Sequence, residues 1–91
     1  MSPLFAAGAV LSTPGALRAT ERLGITPLSL LSRHFLGDWG DLGAADKAMN
    51  DEAVKNGDDR ILSRYNVGDA SFYAITEGDR SATTLLLCAE Y

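Results

Sequence analysis

The chain has 91 residues, of which 46 % are hydrophobic and 22 % charged, and its formal net charge is −4. A chain of this length is expected to form one domain, 1–91, with a single small core. Folding then buries only about 60–65 % of the surface that the unfolded chain exposes. This size disfavours a large cofactor pocket, and no cofactor is predicted.

The negative charge is concentrated in the middle of the chain. Residues 37–59 carry seven acidic residues against two lysines. Direct nucleic-acid binding needs a basic stripe, which this sequence lacks. An acidic face instead favours a basic protein surface as its partner, including one that normally holds nucleic acid. The alternative is a solvated acidic surface that only keeps the protein soluble.

The cysteine content and the apolar runs bear on location. Cys88 is the single cysteine, so no internal disulfide can form, and its apolar setting favours a buried structural thiol. The apolar segment 1–11 lacks the basic start of a signal peptide, and no run approaches the ~20 apolar residues of a membrane span. We expect a cytoplasmic protein that does not contact membranes.

The first half of the chain reads as a short apolar run followed by helices. Residues 4–11 predict a strand or an irregular arm. Thr-Pro pairs at 13–14 and 26–27 each place a hydroxyl at the N-cap and a proline at the first helical position. The helices should cover 14–23 and 27–36, each followed by a glycine that ends it.

The second and third helices carry apolar faces of different strength. In the second helix Leu28, Leu31 and Phe35 form one apolar stripe, and Arg33 and His34 lie near the C-terminus, where cationic side chains interact favourably with the helix dipole. The third helix is predicted over 44–56 and stops at Asn56-Gly57. Its modest apolar face consists of small residues: Ala45, Ala48 or Met49, and Ala53.

The last third of the chain changes to a period of two. Alternating residues predict strands over 61–67 and 72–76, and the β-branched and apolar residues of 83–88 predict a buried third strand. Turns at 68–70 and 77–80 separate the three. Three strands joined by tight turns form an antiparallel meander. The predicted fold class is therefore α+β, with N-terminal helices packed on one face of a three- to four-stranded antiparallel sheet.

The segment from Arg33 to Leu42 holds the only Trp and the only His of the chain. His34, Asp38 and Asp41 have a spacing that invites a metal site. Zinc or iron, however, needs three or four protein ligands with supporting hydrogen bonds, so no metal is predicted. The alternative is that these residues have a structural role, in which Asp38 or Asp41 caps the next helix.

Trp39 permits two interpretations. Its ring can be pinned at the edge of the core, with the indole N–H bonded to a carbonyl or a carboxylate. Alternatively, a partly exposed Trp39 ringed by acids would anchor a protein partner, since Trp is frequent at binding hot spots.

No catalytic pattern emerges. The serines near His34 lie on the same helix, and neither a Gly-x-Ser-x-Gly elbow nor a phosphate-binding loop is present. The turn around Arg80 carries both signs of charge, and an ion pair of Arg80 with Glu77 or Asp79 is expected to fix the hairpin. We therefore predict that the protein is not an enzyme.

The order of several short motifs resembles a family of small bacterial proteins carried on plasmids, integrated elements and phages. Such proteins are described as plasmid-related or, wrongly, as a type I restriction subunit. The motifs cover most of the chain: Ser12-Thr13-Pro14-Gly15-Ala16-Leu17, Arg33-His34, Gly37-Asp38-Trp39-Gly40-Asp41-Leu42, Asp46-Lys47 with Asn50, Arg60-Ile61-Leu62-Ser63-Arg64-Tyr65, Ile75-Thr76-Glu77-Gly78-Asp79-Arg80-Ser81, Thr83-Thr84 and Glu90-Tyr91. Two positions depart from the family pattern. Gly78 replaces a small non-glycine residue, and Cys88-Ala89 replaces a frequent Leu-Pro.

The resemblance implies a genetic context rather than a chemistry. Small acidic proteins on mobile DNA are often inhibitors of host defence, of the anti-CRISPR or antirestriction kind, and act as DNA mimics on a basic surface. The sequence hypothesis is a non-enzymatic inhibitor that binds a CRISPR or restriction complex through its acidic middle. The predicted partner-binding residues are Asp38, Trp39, Asp41, Asp46, Asp51, Glu52, Asp58 and Asp59. The alternative is a small homodimeric regulatory or structural domain of a mobile element, which would act through an exposed sheet edge or an apolar helix face.

Overall fold

The computed structural model describes residues 2–91 and shows an α+β fold, which confirms the predicted class. Along the chain the elements are β1 (Ala9–Ser12), α1 (Pro14–Leu23), α2 (Pro27–Phe35), α3 (Ala44–Asn56), β2 (Ile61–Val67), β3 (Ala70–Thr76), β4 (Ala82–Leu87) and a short 3₁₀ helix (Cys88–Glu90). Within residues 2–91, no helix combines the length and the apolar character that a membrane crossing requires.

The sheet has the strand order β1-β4-β3-β2. Strands β2, β3 and β4 form the predicted antiparallel meander. β1, however, runs parallel to β4, with Ala9 opposite Ala82 and Ser12 opposite Leu85, so the prediction of a purely antiparallel sheet is wrong. Three helices connect β1 to β2, so the chain can continue at either edge of the sheet after them. Local sequence does not determine which edge is used.

The helix starts follow the predicted chemistry. The Thr13 hydroxyl accepts a hydrogen bond from the N–H of Ala16, and the Thr26 hydroxyl accepts one from Ser29. α1 ends at Gly24 in the left-handed conformation, whereas α2 ends at Phe35, one residue earlier than expected. These caps satisfy donors that the first turn of a helix leaves unpaired.

The main core lies between the sheet and the first two helices. Leu30 and Leu31 pack with Tyr65, Phe72 and Leu85, all of them buried. The predicted α2 stripe is wrong in part, because Leu28 is 62 % exposed while Leu30 and His34 are buried. The buried face of a short helix is decided by what lies beneath it, and here that includes polar partners for an imidazole.

A second cluster lies between α3 and the segment before β1. Trp39, Ala53 and Ile61 are buried there, and Phe5 packs against them. α3 buries only Asn50 and Ala53, and Met49 is 69 % exposed, so most of the predicted apolar face of α3 points to solvent. α3 therefore lies at the margin of the sheet rather than across it.

Candidate functional site

The loop Gly37–Gly43 runs along the outer edge of β2. The N–H of Arg64 donates to the Trp39 carbonyl at 3.1 Å, and the N–H of Asp41 donates to the Arg64 carbonyl at 2.6 Å. Farther along β2, the Asp41 carboxylate accepts the N–H of Asn66 at 2.8 Å. The loop thus takes the position that a neighbouring strand would occupy.

Asn50 of α3 completes this cover of the β2 edge. Its side-chain oxygen accepts the N–H of Leu62 at 3.1 Å, and its side-chain nitrogen donates to the Leu62 carbonyl at 2.7 Å. Open main-chain groups at a sheet edge invite pairing with another chain. The edge of β2 is therefore closed by dedicated contacts.

Gly40 permits the close approach of the loop to β2. Its φ is 76°, a left-handed value, and a Cβ at this position would collide with the Arg64 carbonyl and the Tyr65 ring. Glycine adopts this conformation without the steric penalty of a side chain. The second glycine of the Gly-Asp-Trp-Gly motif is thus required by packing.

Asp38 fixes the start of the same loop. The Arg33 guanidinium donates to its carboxylate at 2.7 Å, and this hydrogen bond lowers the pKa of Asp38 and raises that of Arg33. The Tyr65 hydroxyl donates to the Asp38 carbonyl at 2.7 Å. Burial raises the pKa of Tyr65 to about 12, so this phenol stays protonated as the donor.

Trp39 is only 5 % exposed, and its indole N–H donates to the Asp51 carboxylate at 2.9 Å. The structure therefore matches the core interpretation of Trp39, and its ring offers little surface to a partner. The expectation that Asp38 or Asp41 caps α3 is wrong, because the N-cap is Gly43 without a side-chain hydrogen bond. The Asp41 carboxylate bonds to β2 instead.

His34 lies within a chain of buried hydrogen bonds whose direction can be assigned. The Ala7 carbonyl can only accept, so the Thr83 hydroxyl donates to it at 2.8 Å. Thr83 then accepts from Thr76 at 2.7 Å, and Thr76 accepts from His34 Nε2–H at 2.9 Å. His34 Nδ1 is left as an acceptor for the Ser63 hydroxyl at 2.6 Å. The imidazole is therefore the neutral Nε2–H tautomer.

The setting of His34 separates it from the acids that follow it in sequence. Its ring is fully buried, and this burial lowers its pKa to about 4. Both ring nitrogens are engaged, while the Asp38 carboxylate faces Arg33 and the Asp41 carboxylate faces β2. The structure does not bring the three side chains into one ligand set, and residues 2–91 contain no cluster of three His, Cys, Asp or Glu arranged for a metal.

Arg80 makes contacts of a different kind from those predicted. Its guanidinium donates to the main-chain carbonyls of Ala53, Asp59 and Glu77, and residues 2–91 hold no ion pair at this position. The expected Arg–Asp or Arg–Glu pair is therefore wrong. Carbonyls at the end of α3, in the loop before β2 and in the turn between β3 and β4 converge there. A guanidinium has five N–H donors and can satisfy several of them at once.

A groove of about 850 Å³ lies between α3 and the sheet face opposite α1 and α2. We call this feature the α3 groove. Its acidic side is formed by Asp46, Glu52 and Asp59, and Met49 projects from α3 beside them. Its other wall is the sheet and the start of β2: Arg60, Leu62, Arg64 and Tyr73.

Arginine and tyrosine side chains pack against one another on the sheet wall of the α3 groove and beside it. The Arg64 guanidinium lies 5.8 Å from the ring centroid of Tyr73, and the rings of Tyr73 and Tyr91 lie 5.4 Å apart, edge to face. Arg60 lies 5.7 Å from the Tyr91 ring and donates to the Tyr91 hydroxyl. Tyr and Arg on an accessible surface are typical of binding hot spots.

The predicted partner-binding residues fall into two groups. Asp38, Trp39, Asp41 and Asp51 make the internal contacts described above. The other four are exposed, and within residues 2–91 their carboxylates form neither an ion pair nor a side-chain hydrogen bond: Asp46, Glu52, Asp58 and Asp59. Sequence reasoning missed the sheet wall, although Leu62 and Arg64 alternate with the buried residues of β2 and so point to the opposite face.

Comparisons with protein families, characterised proteins and solved structures gave no match to this chain. The function is therefore argued from the geometry of the α3 groove and its surroundings.

Proposed function

We propose that the protein is a non-enzymatic interaction protein that binds a basic protein surface through the α3 groove. One observation carries the proposal: Asp46, Glu52 and Asp59 line an open groove, and no arginine or lysine within residues 2–91 pairs with them. Carboxylates without internal partners keep their charge available, and opposite charge on a partner steers association and fixes its orientation.

The groove also offers apolar surface, which charge alone would not provide. Met49 is 69 % exposed, and Leu62 and Tyr73 lie on the opposite wall. A flexible thioether adapts to the shape of a partner, and an aromatic ring adds area at little entropic cost. A basic segment with apolar side chains among its lysines or arginines fits this combination.

The partner class follows from the same chemistry. Carboxylates on a small scaffold compete with phosphates for lysine and arginine side chains, so a surface that normally holds DNA suits the α3 groove. The resemblance to proteins of plasmids and phages implies a host-defence complex, either CRISPR or restriction, as the bearer of that surface. The protein would then be an anti-defence inhibitor that displaces DNA.

The test is displacement of labelled duplex DNA from a purified type I CRISPR surveillance complex and from a purified type I restriction enzyme. The wild-type protein should compete with DNA on at least one of the two. Neutralising the groove with Asp46→Asn, Glu52→Gln and Asp59→Asn should weaken competition about tenfold, since three exposed charge contacts together contribute about 1–2 kcal/mol.

The matched control neutralises three acids elsewhere on the surface, Glu21→Gln, Asp69→Asn and Glu77→Gln, and so gives the same net charge. Asp69 pairs with Arg22, but both side chains are largely exposed, so little stability should be lost. Competition by this control should match the wild type. Equal weakening by both variants, or no competition by the wild type on either complex, would contradict the proposal.

A further inference from the structure

We propose that a second copy of this chain adds to the free edge of β1, strand to strand and antiparallel, to form a continuous eight-stranded sheet. The inference rests on observations at the sheet edge opposite the α3 groove. It is independent of the proposed function, because β1 and β2 are the two outermost strands of the sheet.

The outer edge of β1 has unpaired main-chain groups. On the inner side, the N–H of Ala9 donates to Ser81 and the N–H of Thr13 donates to Leu85, both at 3.0 Å. Since alternate residues of a strand face the same neighbour, the main-chain groups of Val10 and Ser12 point away from β4. No other segment of residues 2–91 bonds to them.

The two edges of the sheet differ in whether other residues bond to their outward main-chain groups. Along β2, Asn50, Asp41 and the Trp39 carbonyl meet the outward main-chain groups. Within residues 2–91 no loop bonds to the outer side of β1, the strand itself contains neither proline nor a charged residue, and the first charged side chain in the sequence is Arg18. Lysines, prolines and covering loops are the usual means of preventing edge pairing, so β1 lacks the protection that β2 has.

The absence of charge at β1 favours a second copy as the occupant. Each chain has a net charge of −4, so two copies repel each other over most of their surfaces. Strand β1 itself carries no charge and lies at the sheet edge away from the acids of α3, and the nearby Glu90 carboxylate is bonded to Thr13 just after the strand. Val10 and Leu11 are each 51 % exposed there, one on each face of the sheet, and pairing would cover both.

We infer the register that pairs the free groups of both outward residues. Val10 would exchange two hydrogen bonds with Ser12 of the second copy, and Ser12 would do the same with its Val10. Leu11 would then face Leu11 of the second copy as a non-hydrogen-bonded pair, in which the Cα atoms lie about 4.5 Å apart. This distance can be bridged by a disulfide.

The first test is sedimentation equilibrium of the full chain over a wide concentration range. The wild type should dimerise. Leu11→Lys places two like charges opposite each other across the symmetry axis and should raise the dimer dissociation constant at least tenfold. Leu28→Lys is the matched control, because Leu28 is 62 % exposed on α2, and this variant should dimerise like the wild type.

The register is tested by oxidation in a Cys88→Ser background. Leu11→Cys should give a disulfide-linked dimer, whereas Leu28→Cys should remain monomeric on a denaturing gel. Circular dichroism confirms that each variant is folded. A wild type that stays monomeric at all concentrations, a dimer insensitive to Leu11→Lys, or failure of Leu11→Cys to cross-link would each overturn the proposal.

Discussion

His34 shows how one buried side chain organises several elements. Its hydrogen bonds join α2 to β2 and β3, and the Thr76–Thr83 pair extends the connection to β4 and to Ala7. The chain of donors ends on a carbonyl, so every hydroxyl has one orientation. A buried network in which each member is satisfied favours a single packed arrangement.

The buried imidazole predicts a dependence of stability on pH. The pKa of His34 falls from 6.5 to about 4 on folding. A lowered folded-state pKa means that stability is complete above pH 6.5 and is lost as pH falls towards 4, because the unfolded chain takes up the proton first. Between pH 7 and pH 5 the loss should be about 2 kcal/mol in the free energy of unfolding.

Urea denaturation at several pH values measures this effect. In His34→Gln the carboxamide can still accept from Ser63 and donate to Thr76, but it does not titrate. This variant should lose the slope between pH 7 and pH 5, a window above the usual pKa of the carboxylates. A slope as steep as that of the wild type would assign the pH dependence to another group.

At the scale of elements, the loop Gly37–Gly43 acts as a substitute for a fifth strand. Its main chain pairs with Arg64, its Asp41 carboxylate takes Asn66, and Asn50 of α3 takes Leu62. The buried Trp39 ring and its hydrogen bond to Asp51 hold the loop in place. The acids at 38, 41 and 51 therefore contribute to architecture, and the proposed binding role falls to Asp46, Glu52 and Asp59.

Gly40→Ala should destabilise the protein by at least about 2 kcal/mol, because a left-handed φ and a collision with the Arg64 carbonyl act together. The main-chain amides of Arg64 and Asn66 should also exchange with solvent faster, since they donate to Trp39 and Asp41 of the loop, which can no longer cover β2. Urea denaturation and hydrogen exchange measure the two effects.

Gly43→Ala is the matched control for this substitution. Gly43 has φ −70°, and a Cβ there meets no atom within 4 Å. Because Gly43 is the N-cap of α3 and alanine caps less well than glycine, the free energy of unfolding should fall by about 1 kcal/mol or less, while amide exchange along β2 stays close to that of the wild type. If the two alanine variants behave alike, the close approach at Gly40 does not hold the loop in place.

At the scale of the whole molecule, the sheet separates two surfaces of different character. The acidic α3 groove lies beside β2, and the uncharged free edge lies at β1, with two strands between them. A partner at the groove and a second copy at β1 would not compete for the same residues. One dimer could then present two grooves to a partner.

This separation predicts that the two activities can be removed independently. Leu11→Lys should weaken dimerisation at least tenfold yet leave the displacement of DNA by each protomer unchanged. The variant with neutralised Asp46, Glu52 and Asp59 should dimerise normally and compete poorly. Sedimentation and DNA competition on the same preparations measure both, and a joint loss in either variant would show that the surfaces are coupled.

The sequence by itself determined the local elements and the exposed charge. Thr-Pro starts, glycine stops and period-two alternation depend on neighbours within a few residues, so the three helices and the β2–β3–β4 meander were predictable. Only the tertiary structure decided the parallel pairing of β1, the partners of His34 and the roles of Trp39 and Asp41. The hydrogen-bond partners of these three side chains lie 12 to 42 residues away along the chain. β1 is separated from β4 by three helices and two strands. Such contacts depend on how the elements pack against one another, which no local pattern encodes.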